Sequence, residues 1–440
     1  MLSISEKANT NYLAKVVDLK NIKKHPNADR LQTVDIDFNT VITGMDAKEG
    51  DTYVYFPIEC KINKDFLSET NSFRDKELNS DKEQMGFFEE NCRVRAMRLR
   101  GEKSMGYIVP ISVVFNWAYG KEPSFTYSVG DEFDTINGLL LLEKYVIKKN
   151  EPRVKQGKKP KVSRLIEGQV HLHVDTENLR KNADKIKPSD TISITYKTHG
   201  TSWWVGNVLV KKNLSWLYRI LDKLGLNIDK VEYDHVYGSR RVVKNEALGD
   251  PKAKDHFYGY DLWEDIKEEV RDCIPKGYTL YGEMLGFDKN GAMIQNGFDY
   301  GCKEGEHKLE VYRITHTTPD GLVTELSYPQ IAQFCEKVGL TPSYLFYYGK
   351  ASDWFEFAGL EEEVMRWDDI NFSEVFVRAL EKVYNEKDCF MCVNKVPEEG
   401  IVVRKESLFD CESYKLKSFN FLDMESKSLD KGESDLESEN

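Results

Sequence analysis

TISITYKTHGTSWWVG, residues 191 to 206, sets a lysine between two runs that are typical of β-strands. β-Branched and aromatic residues fill both runs, and such side chains fit the pleated, half-buried surface of a sheet. The first run ends at Lys197, so its amine is expected at a strand end, where a small molecule can approach. The Lys-x-x-Gly pattern alone is weak evidence, because it recurs at 103 to 106.

Strand-like runs continue after this segment and alternate with amphipathic helices, such as those at 262 to 274 and 373 to 386. The pattern predicts an α+β domain over residues 166 to 421. The downstream strand-like runs are TLYGEML, LEVYRIT, GIVVRKE and SYKLKS.

Three further regions differ in composition from the α+β domain. Residues 1 to 145 hold short alternating runs broken by turns, from YLAKVVDL to YIVPISVVF, and predict a small antiparallel β domain. The basic segment 146 to 165 is expected to be a linker. The acidic segment 422 to 440 has too few apolar residues to bury a core, so it is expected to be a disordered tail.

The bulk composition excludes several classes of protein. A chain of 440 residues that is 40% hydrophobic and 31% charged is typical of a globular protein with more than one core. It has no long apolar run and no signal-peptide pattern, which predicts a cytoplasmic protein without a membrane span. A net charge of -12 opposes nucleic-acid binding over the whole surface, although local basic patches remain open. Eight scattered cysteines favour reduced thiols over a disulfide framework.

Residues suited to nucleotide transfer follow Lys197 in order. A neutral lysine amine can attack the α-phosphorus of ATP, and neighbouring cations such as Lys415 and Lys417 would lower its pKa. These two lysines alternate along one strand, so both point to one face and can hold a phosphate. Glu399 can supply a carboxylate oxygen to Mg²⁺, and the ring of Tyr312 can stack on adenine.

This ordered set resembles the motifs of the covalent nucleotidyltransferases, which include DNA ligases, RNA ligases and mRNA capping enzymes. The resemblance covers residues 166 to 421 and makes Lys197 the nucleophile that carries AMP. It departs from many relatives at Arg313, where they have Asp after the aromatic residue. The resemblance implies catalytic roles for Lys197, Glu399, Lys415 and Lys417, and Mg²⁺ or Mn²⁺ binding by Glu283 and Glu399. It implies ATP binding by Tyr196, Thr198, Gly200, Arg240, Glu283, Tyr312, Lys415 and Lys417.

The flanking sequence narrows the resemblance. KTHGTS, with GQVHLHVDTENLRKN upstream and a β domain in front, resembles the Deinococcus-type RNA ligases, a nick-sealing family. About twenty mostly polar residues follow Lys417, which predicts that no OB domain stands at the place where most DNA ligases and capping enzymes carry one. The resemblance implies a monomer that joins ends in a nicked duplex, with RNA on the 3'-OH side and tolerance of DNA on the 5'-phosphate side. It also implies an ATP-grasp-like, ligase-type nucleotidyltransferase domain of antiparallel sheets flanked by helices.

The N-terminal region carries a second resemblance. HPNADRL at 25 to 31 and RLRGEKSMG at 98 to 106 are similar to the tRNA-binding OB folds of some aminoacyl-tRNA synthetases, which makes tRNA a candidate RNA partner. Three alternatives remain: a DNA ligase, a capping-type transferase, or a non-catalytic tRNA-binding protein. The candidate nucleic-acid contacts are Arg93, Arg95, Arg98, Arg100, Lys103 and Arg241.

Overall fold

The computed structural model divides into two compact units. One holds the described part of Met1–Lys149 together with a C-terminal helix, and the other holds the described part of Asn150–Ser418. The linker predicted at 146 to 165 lies almost wholly outside the described residues. The structure describes residues 1–120, 126–146, 164–173, 176–215, 220, 224, 228–244, 259–360, 362, 371–409 and 411–430.

The first unit is built mainly from short antiparallel strands. The strands are β1 Leu2–Ser3, β2 Ala14–Asp18, β3 Lys23–Lys24, β4 Leu31–Ile36, β5 Asn39–Gly44, β6 Thr52–Phe56, β7 Cys60–Ile62, β8 Ala96–Leu99, β9 Glu102–Met105, β10 Tyr107–Pro110, β11 Glu132–Phe133, β12 Thr135–Ile136, β13 Leu139–Leu140 and β14 Leu142–Lys144. Within this unit, the described sheet with the most strands has the order β10-β6-β2-β11, and β3-β4-β5 forms another. Two helices, α1 Lys64–Glu69 and α2 Ile111–Tyr119, complete its N-terminal part as far as it is described.

Helix α2 corrects part of the prediction that YIVPISVVF belongs to the β-rich runs of this region. The strand β10 ends at Pro110, which is the residue before the first turn of α2. Beyond it, Ile111, Val114, Phe115 and Ala118 are buried, and this spacing places them on one face of a helix. The β-branched composition of the run was misleading, because helical periodicity and packing against the core decide its structure.

The second unit contains the remaining described strands and most of the helices. The strands are β15 Glu177–Asn178, β16 Thr191–Lys197, β17 Thr201–Lys211, β18 Val231–Gly238, β19 Tyr278–Gly286, β20 His307–Thr317, β21 Val323–Glu325, β22 Thr341–Pro342, β23 Leu345–Lys350, β24 Gly400–Lys405 and β25 Ser413–Lys417. The helices are α3 Leu262–Val270, α4 Tyr328–Val338, α5 Trp354–Phe357 and α6 Phe372–Tyr384.

Two mainly antiparallel sheets organise this unit and confirm the predicted α+β class. One has the order β15-β25-β24-β16-β23, and the other has the order β18-β17-β19-β20-β21. Strand β16 lies in the first sheet and β17 in the second, so the short turn after Lys197 carries the chain from one sheet to the other. Trp203 and Trp204 on β17 are buried in the core, as their position in an apolar strand suggests.

The C-terminal helix α7, Phe419–Asp430, corrects the prediction of a disordered tail for residues 422 to 430, and the rest of the predicted tail lies outside the described residues. The helix belongs to the first unit, so the second unit ends at Ser418 and not at 421. Phe419 and Leu422 pack in a small cluster with Ala96 and Met105. These four apolar residues come from two segments more than 300 positions apart, which is why the local composition gave no sign of their packing.

Candidate active site

A pocket lies on the face of the β16 sheet to which Ser193, Thr195 and Lys197 belong. Ile192 and Ile194, which alternate with these residues along the strand, are fully buried on the opposite face. The period-two alternation of a strand therefore separates an apolar core face from a polar pocket face. The neighbouring strands add Val402, Arg404, Ser413 and Lys415 to the lining.

Lys197 forms an ion pair at the end of β16. It lies opposite Gly400 in the ladder with β24, and its Nζ is 2.7 Å from Oε1 of Glu399. The Glu399 side chain is only 1% exposed, and the Nδ1 of His199 lies 4.0 Å from its Oε2. A carboxylate at this distance stabilises the protonated amine. This effect is opposite to that of the neighbouring cations Lys415 and Lys417, which were expected from the sequence to favour the neutral amine.

The two lysines of β25 occupy equivalent positions along one strand face. Lys415 lies opposite Val402 and Lys417 lies opposite Gly400, with Leu416 between them buried in the core. Residues two positions apart on a strand share a face, so the register places both lysines on the same side of the sheet. Lys415 lines the pocket, whereas Lys417 lies outside its lining, at the strand end that holds Lys197.

The second sheet contributes the other wall of the pocket, through Glu283, Glu310, Tyr312 and Arg313. The ladder between β19 and β20 shifts at Gly282, so that β20 has one residue more than its partner at this point. A β-bulge of this kind turns side chains away from strict alternation. It explains how the consecutive residues Tyr312 and Arg313 both line the pocket.

Tyr312 and Arg313 are held by neighbours within the second unit. The hydroxyl of Tyr312 is 3.1 Å from Nδ1 of His173, and the two rings meet edge to face at 5.6 Å. Arg313, which departs from the motif pattern that the sequence resembles, donates from Nε to both carboxylate oxygens of Glu325 at 3.1 Å. The arginine at this position therefore has a structural partner on β21.

The turn after Lys197 is fixed by hydrogen bonds to buried groups. Thr198 donates from its hydroxyl to Glu310 at 2.9 Å, and the backbone N–H of His199 donates to the hydroxyl of Tyr300 at 2.6 Å. Burial raises the pKa of Glu310, against the lowering effect of hydroxyl donors such as Thr198. Burial also raises the pKa of Tyr300, as does the nearby charge of Glu399.

Gly200 has a packing role that the motif did not reveal. Its carbonyl accepts from Nε2 of Gln295 at 2.7 Å. A Cβ at this position would lie 2.4 Å from the carbonyl oxygen of Met284 and 2.8 Å from a methyl carbon of Leu285. The glycine therefore allows the start of β17 to approach β19 closely.

The structure also places the other predicted residues. Arg240, Glu283 and Tyr196 line the pocket, whereas Arg241 is exposed and lies outside its lining. Glu310 and Tyr300 are pocket or turn residues that the sequence analysis missed. Glu310 stands two positions before Tyr312 in LEVYRIT, so strand alternation is the signal that could have found it.

The prediction that Arg93 contacts nucleic acid is wrong. Its side chain is 1% exposed, and its Nη2 donates to the carbonyl of Ser426 at 2.6 Å and to Asp430 at 2.7 Å. Arg95 also bonds Asp430, at 2.8 Å. A guanidinium buried against α7 cannot reach a phosphate while the helix remains in place.

The other basic side chains of the first unit that were predicted to contact nucleic acid are more exposed to solvent than Arg93. Arg98 and Lys103 lie over the ring of Phe419, with distances of 4.9 Å and 5.5 Å to its centre. Arg100 is exposed and donates to the carbonyl of Asn27 at 3.4 Å. Two of these cations therefore help to hold α7 on the strands β8 and β9.

The described residues contain no group of three or more His, Cys, Asp or Glu side chains able to hold a metal ion. Mg²⁺ commonly binds through one or two carboxylates, and its other ligands are waters and substrate phosphates. Glu283 in the pocket lining and Glu399 beside Lys197 fit this kind of site. Among the described residues, no helix is both long enough and apolar enough to span a membrane.

Comparison with known proteins supports the fold. Residues 13–111 match the model of a family described as an OB-fold domain. No curated protein sequence matches the chain. Among solved structures, the chain is similar to an RNA ligase of Naegleria gruberi with ATP and Mn, with a TM-score of 0.53 and 15% identity. The match covers 94% of this chain and 98% of that one.

Further structures of the Naegleria gruberi RNA ligase give similar values. One with AMP and Mn has a TM-score of 0.52 and 15% identity, over 94% of this chain and 98% of that one. One with pyrophosphate has a TM-score of 0.51 and 14% identity, over 94% and 99%. At this identity the likeness concerns the fold, and it confirms an OB fold followed by an α+β unit of the type found in RNA ligases.

Proposed function

We propose that this protein is an ATP-dependent RNA ligase that seals nicks and belongs to the Deinococcus-type family. The observation that carries the proposal is the position of Lys197. Its amine lies at a strand end in a pocket that Lys415, Arg240 and Tyr312 also line, with Glu399 at 2.7 Å. This arrangement combines a nucleophile, cations for a phosphate and an aromatic ring in one cavity.

The proposed reaction has three steps. The neutral amine of Lys197 attacks the α-phosphorus of ATP, so that an N–P bond forms and the bond to pyrophosphate breaks. An oxygen of a 5'-phosphate end then attacks the same phosphorus, the N–P bond breaks, and AMP passes to that end. Finally, the 3'-OH attacks the 5'-phosphorus, gives up its proton and releases AMP. Lys415, Lys417 and Arg240 hold the negative phosphates in each step.

The ion pair with Glu399 has to change before the first step. Lys197 is stabilised as an ammonium ion by this carboxylate, and an ammonium ion has no lone pair with which to attack. A bound Mg²⁺ or Mn²⁺ would neutralise phosphate charge and compete with Lys197 for Glu399. Glu399 and Glu283 would hold the cation, and Lys197 would then be able to lose its proton. Tyr312 would contact the adenine, and the turn at Thr198–Gly200 would fix the position of the amine.

The substrate is proposed to be a nicked duplex with RNA on the 3'-OH side, and with RNA or DNA on the 5'-phosphate side. Similarity to solved RNA ligases and the OB fold of the first unit support RNA as the partner. A tRNA with a break is one such substrate. The same proposal takes the protein to be a cytoplasmic monomer.

Retention of label tests the first step. Protein is incubated with α-³²P-labelled ATP and Mg²⁺, denatured and separated on a gel. The wild type is expected to keep the label and Lys197→Ala to lose it. Lys103→Ala is the matched control, because Lys103 begins the other Lys-x-x-Gly match and should keep the label. Labelling of Lys197→Ala at the wild-type level would contradict the assignment.

Substrate comparison separates the alternatives. Labelled GTP in place of ATP tests for a capping-type transferase, and nicks with RNA or DNA on the 3'-OH side test for a DNA ligase. Sealing of the RNA nick alone is the expected result. A wild type that binds RNA but takes no label from either nucleotide would favour a non-catalytic RNA-binding protein.

A further inference from the structure

Aromatic side chains gather at the end of β16 that carries Lys197. The ring of Tyr196 lies 5.7 Å from that of Tyr344, 5.4 Å from that of Phe346 and 4.9 Å from that of Phe390. Phe357 joins the group through Phe346, at 6.4 Å. We call these five residues the aromatic platform. Tyr196 also lines the pocket, so the platform is continuous with the candidate active site.

Local structure explains how the platform forms. The ladder between β16 and β23 pairs Ile194 with Tyr347 and Thr195 with Leu345, which leaves Phe346 as an extra residue at a β-bulge. Phe346 packs against the fully buried ring of Trp354, at 5.5 Å. A buried anchor of this kind holds an exposed group of rings in place at low cost in conformational entropy.

Phe390 reaches the platform from the loop that leads to Glu399. The backbone N–H of Cys389 donates to the carbonyl of Val396 at 2.8 Å, and that of Glu398 donates to the carbonyl of Lys387 at 2.9 Å. These bonds close the loop and return the chain to β24. The loop that presents Phe390 therefore ends next to the carboxylate that contacts Lys197.

Three rings of the platform are exposed to solvent and are therefore accessible to a partner. Tyr344 is 53% exposed, Phe390 is 54% exposed and Phe357 is 59% exposed. Apolar residues scattered over a surface need no explanation, but contiguous exposed rings mark an interaction site. The platform consists of aromatic rings, and aromatic rings are the surfaces on which proteins stack nucleobases.

We propose that the aromatic platform stacks the 3'-terminal base of the RNA strand whose 3'-OH is to be joined. The inference rests on the proposed ligase function and names the surface that places one of its two substrate ends. The 5'-phosphate end carries charge that lysines of the pocket can hold. The 3'-OH end has no free phosphate at the break, so contacts with its terminal base would help to fix the position of the hydroxyl.

A fluorescent base tests the stacking directly. A nicked RNA duplex carries 2-aminopurine as the 3'-terminal base at the nick, and binding is followed by its fluorescence. We expect the wild type to change the signal. Tyr344→Leu and Phe390→Leu keep apolar side chains but remove the rings, so each should weaken the signal change and lower RNA affinity about tenfold. Phe390→Trp should bind as the wild type does.

Phe409→Leu is the matched control. Phe409 is 65% exposed but follows the other end of β24, away from Gly400, and its replacement should leave RNA affinity unchanged. Wild-type affinity and fluorescence in both Tyr344→Leu and Phe390→Leu would overturn the platform. Lysyl-AMP formation from ATP alone is measured in the same proteins. Its absence in the wild type would overturn the proposed function, whereas its presence with unchanged RNA binding would overturn only the platform.

Discussion

At the scale of single residues, Lys197 and Glu399 show why an isolated motif says little about chemistry. The sequence contains two Lys-x-x-Gly matches, and strand position together with the ordered residues downstream singled out Lys197. The structure adds a carboxylate at 2.7 Å that favours the protonated amine. In the proposed reaction, the reactivity of Lys197 would therefore depend on what else binds Glu399.

Glu399→Gln tests this dependence. The amide is a weaker ligand for a divalent cation than a carboxylate, so the Mg²⁺ concentration needed for half-maximal labelling should rise at least about tenfold. Labelling with α-³²P-ATP across a Mg²⁺ series measures it. Glu356→Gln, an exposed carboxylate in the same unit, serves as the control. An unchanged Mg²⁺ requirement in Glu399→Gln would show that this carboxylate holds no metal ion.

At the scale of elements, the β24 strand depends on a glycine at its first position. Gly400 has a φ of +149°, and a Cβ there would lie 2.0 Å from the carbonyl oxygen of Leu416. The contact involves the backbone of β25, which cannot move without disturbing Lys415 and Lys417. The glycine therefore sets how closely β24, which begins directly after Glu399, approaches β25, which carries Lys415 and Lys417.

Gly400→Ala should lower the free energy of unfolding by more than about 2 kcal/mol and reduce labelling, because backbone strain and the clash add together. Urea denaturation and the labelling assay measure the two effects. Gly305→Ala is a matched control, since Gly305 also has a positive φ but has open space around it. Equal losses in the two variants would show that strain alone, without the clash, explains the effect.

A second prediction at the scale of elements concerns how the stability of the fold depends on pH. The bond of His307 on β20 to Glu269 on α3, at 2.8 Å, raises the pKa of His307. The pair therefore stabilises the fold fully below the ordinary histidine pKa of about 6.5, and this contribution disappears as the pH rises through the raised value. His307→Gln should lower the melting temperature at pH 5.5 and leave it unchanged at pH 9. Because the pair is partly exposed, the effect is at most about 1 kcal/mol. A loss of equal size at both pH values would contradict the ion pair.

At the scale of the whole molecule, the C-terminal helix belongs to the unit formed by the N-terminal residues. Arg93 is buried against it and depends on Asp430 and on the Ser426 carbonyl for its hydrogen bonds. The chain passes from β25 through a single residue, Ser418, into α7. The first unit is thus completed by residues from both ends of the chain.

Asp430→Ala should destabilise the first unit by about 1.5–3 kcal/mol, because it removes hydrogen bonds to two guanidinium groups and leaves one of them buried. Hydrogen exchange of α7 and urea denaturation measure the change. Asp423→Ala is the control, since Asp423 on the same helix pairs with Lys427 alone among the ion pairs of the described residues. Similar stability of the two variants would contradict a role for the Arg93 and Arg95 contacts.

The sequence by itself determined the strands around Lys197, the order of the downstream residues and the α+β class, because strand periodicity and residue order are local properties. It misread two segments that depend on tertiary contacts. ISVVF has a β-branched composition but packs as a helix, and the polar segment after 421 folds on Ala96, Met105 and Arg93. Only the tertiary structure decided that Glu399 faces Lys197 and that Arg93 is buried. The reason is that both contacts join residues about 200 or more positions apart, beyond the range of any local pattern.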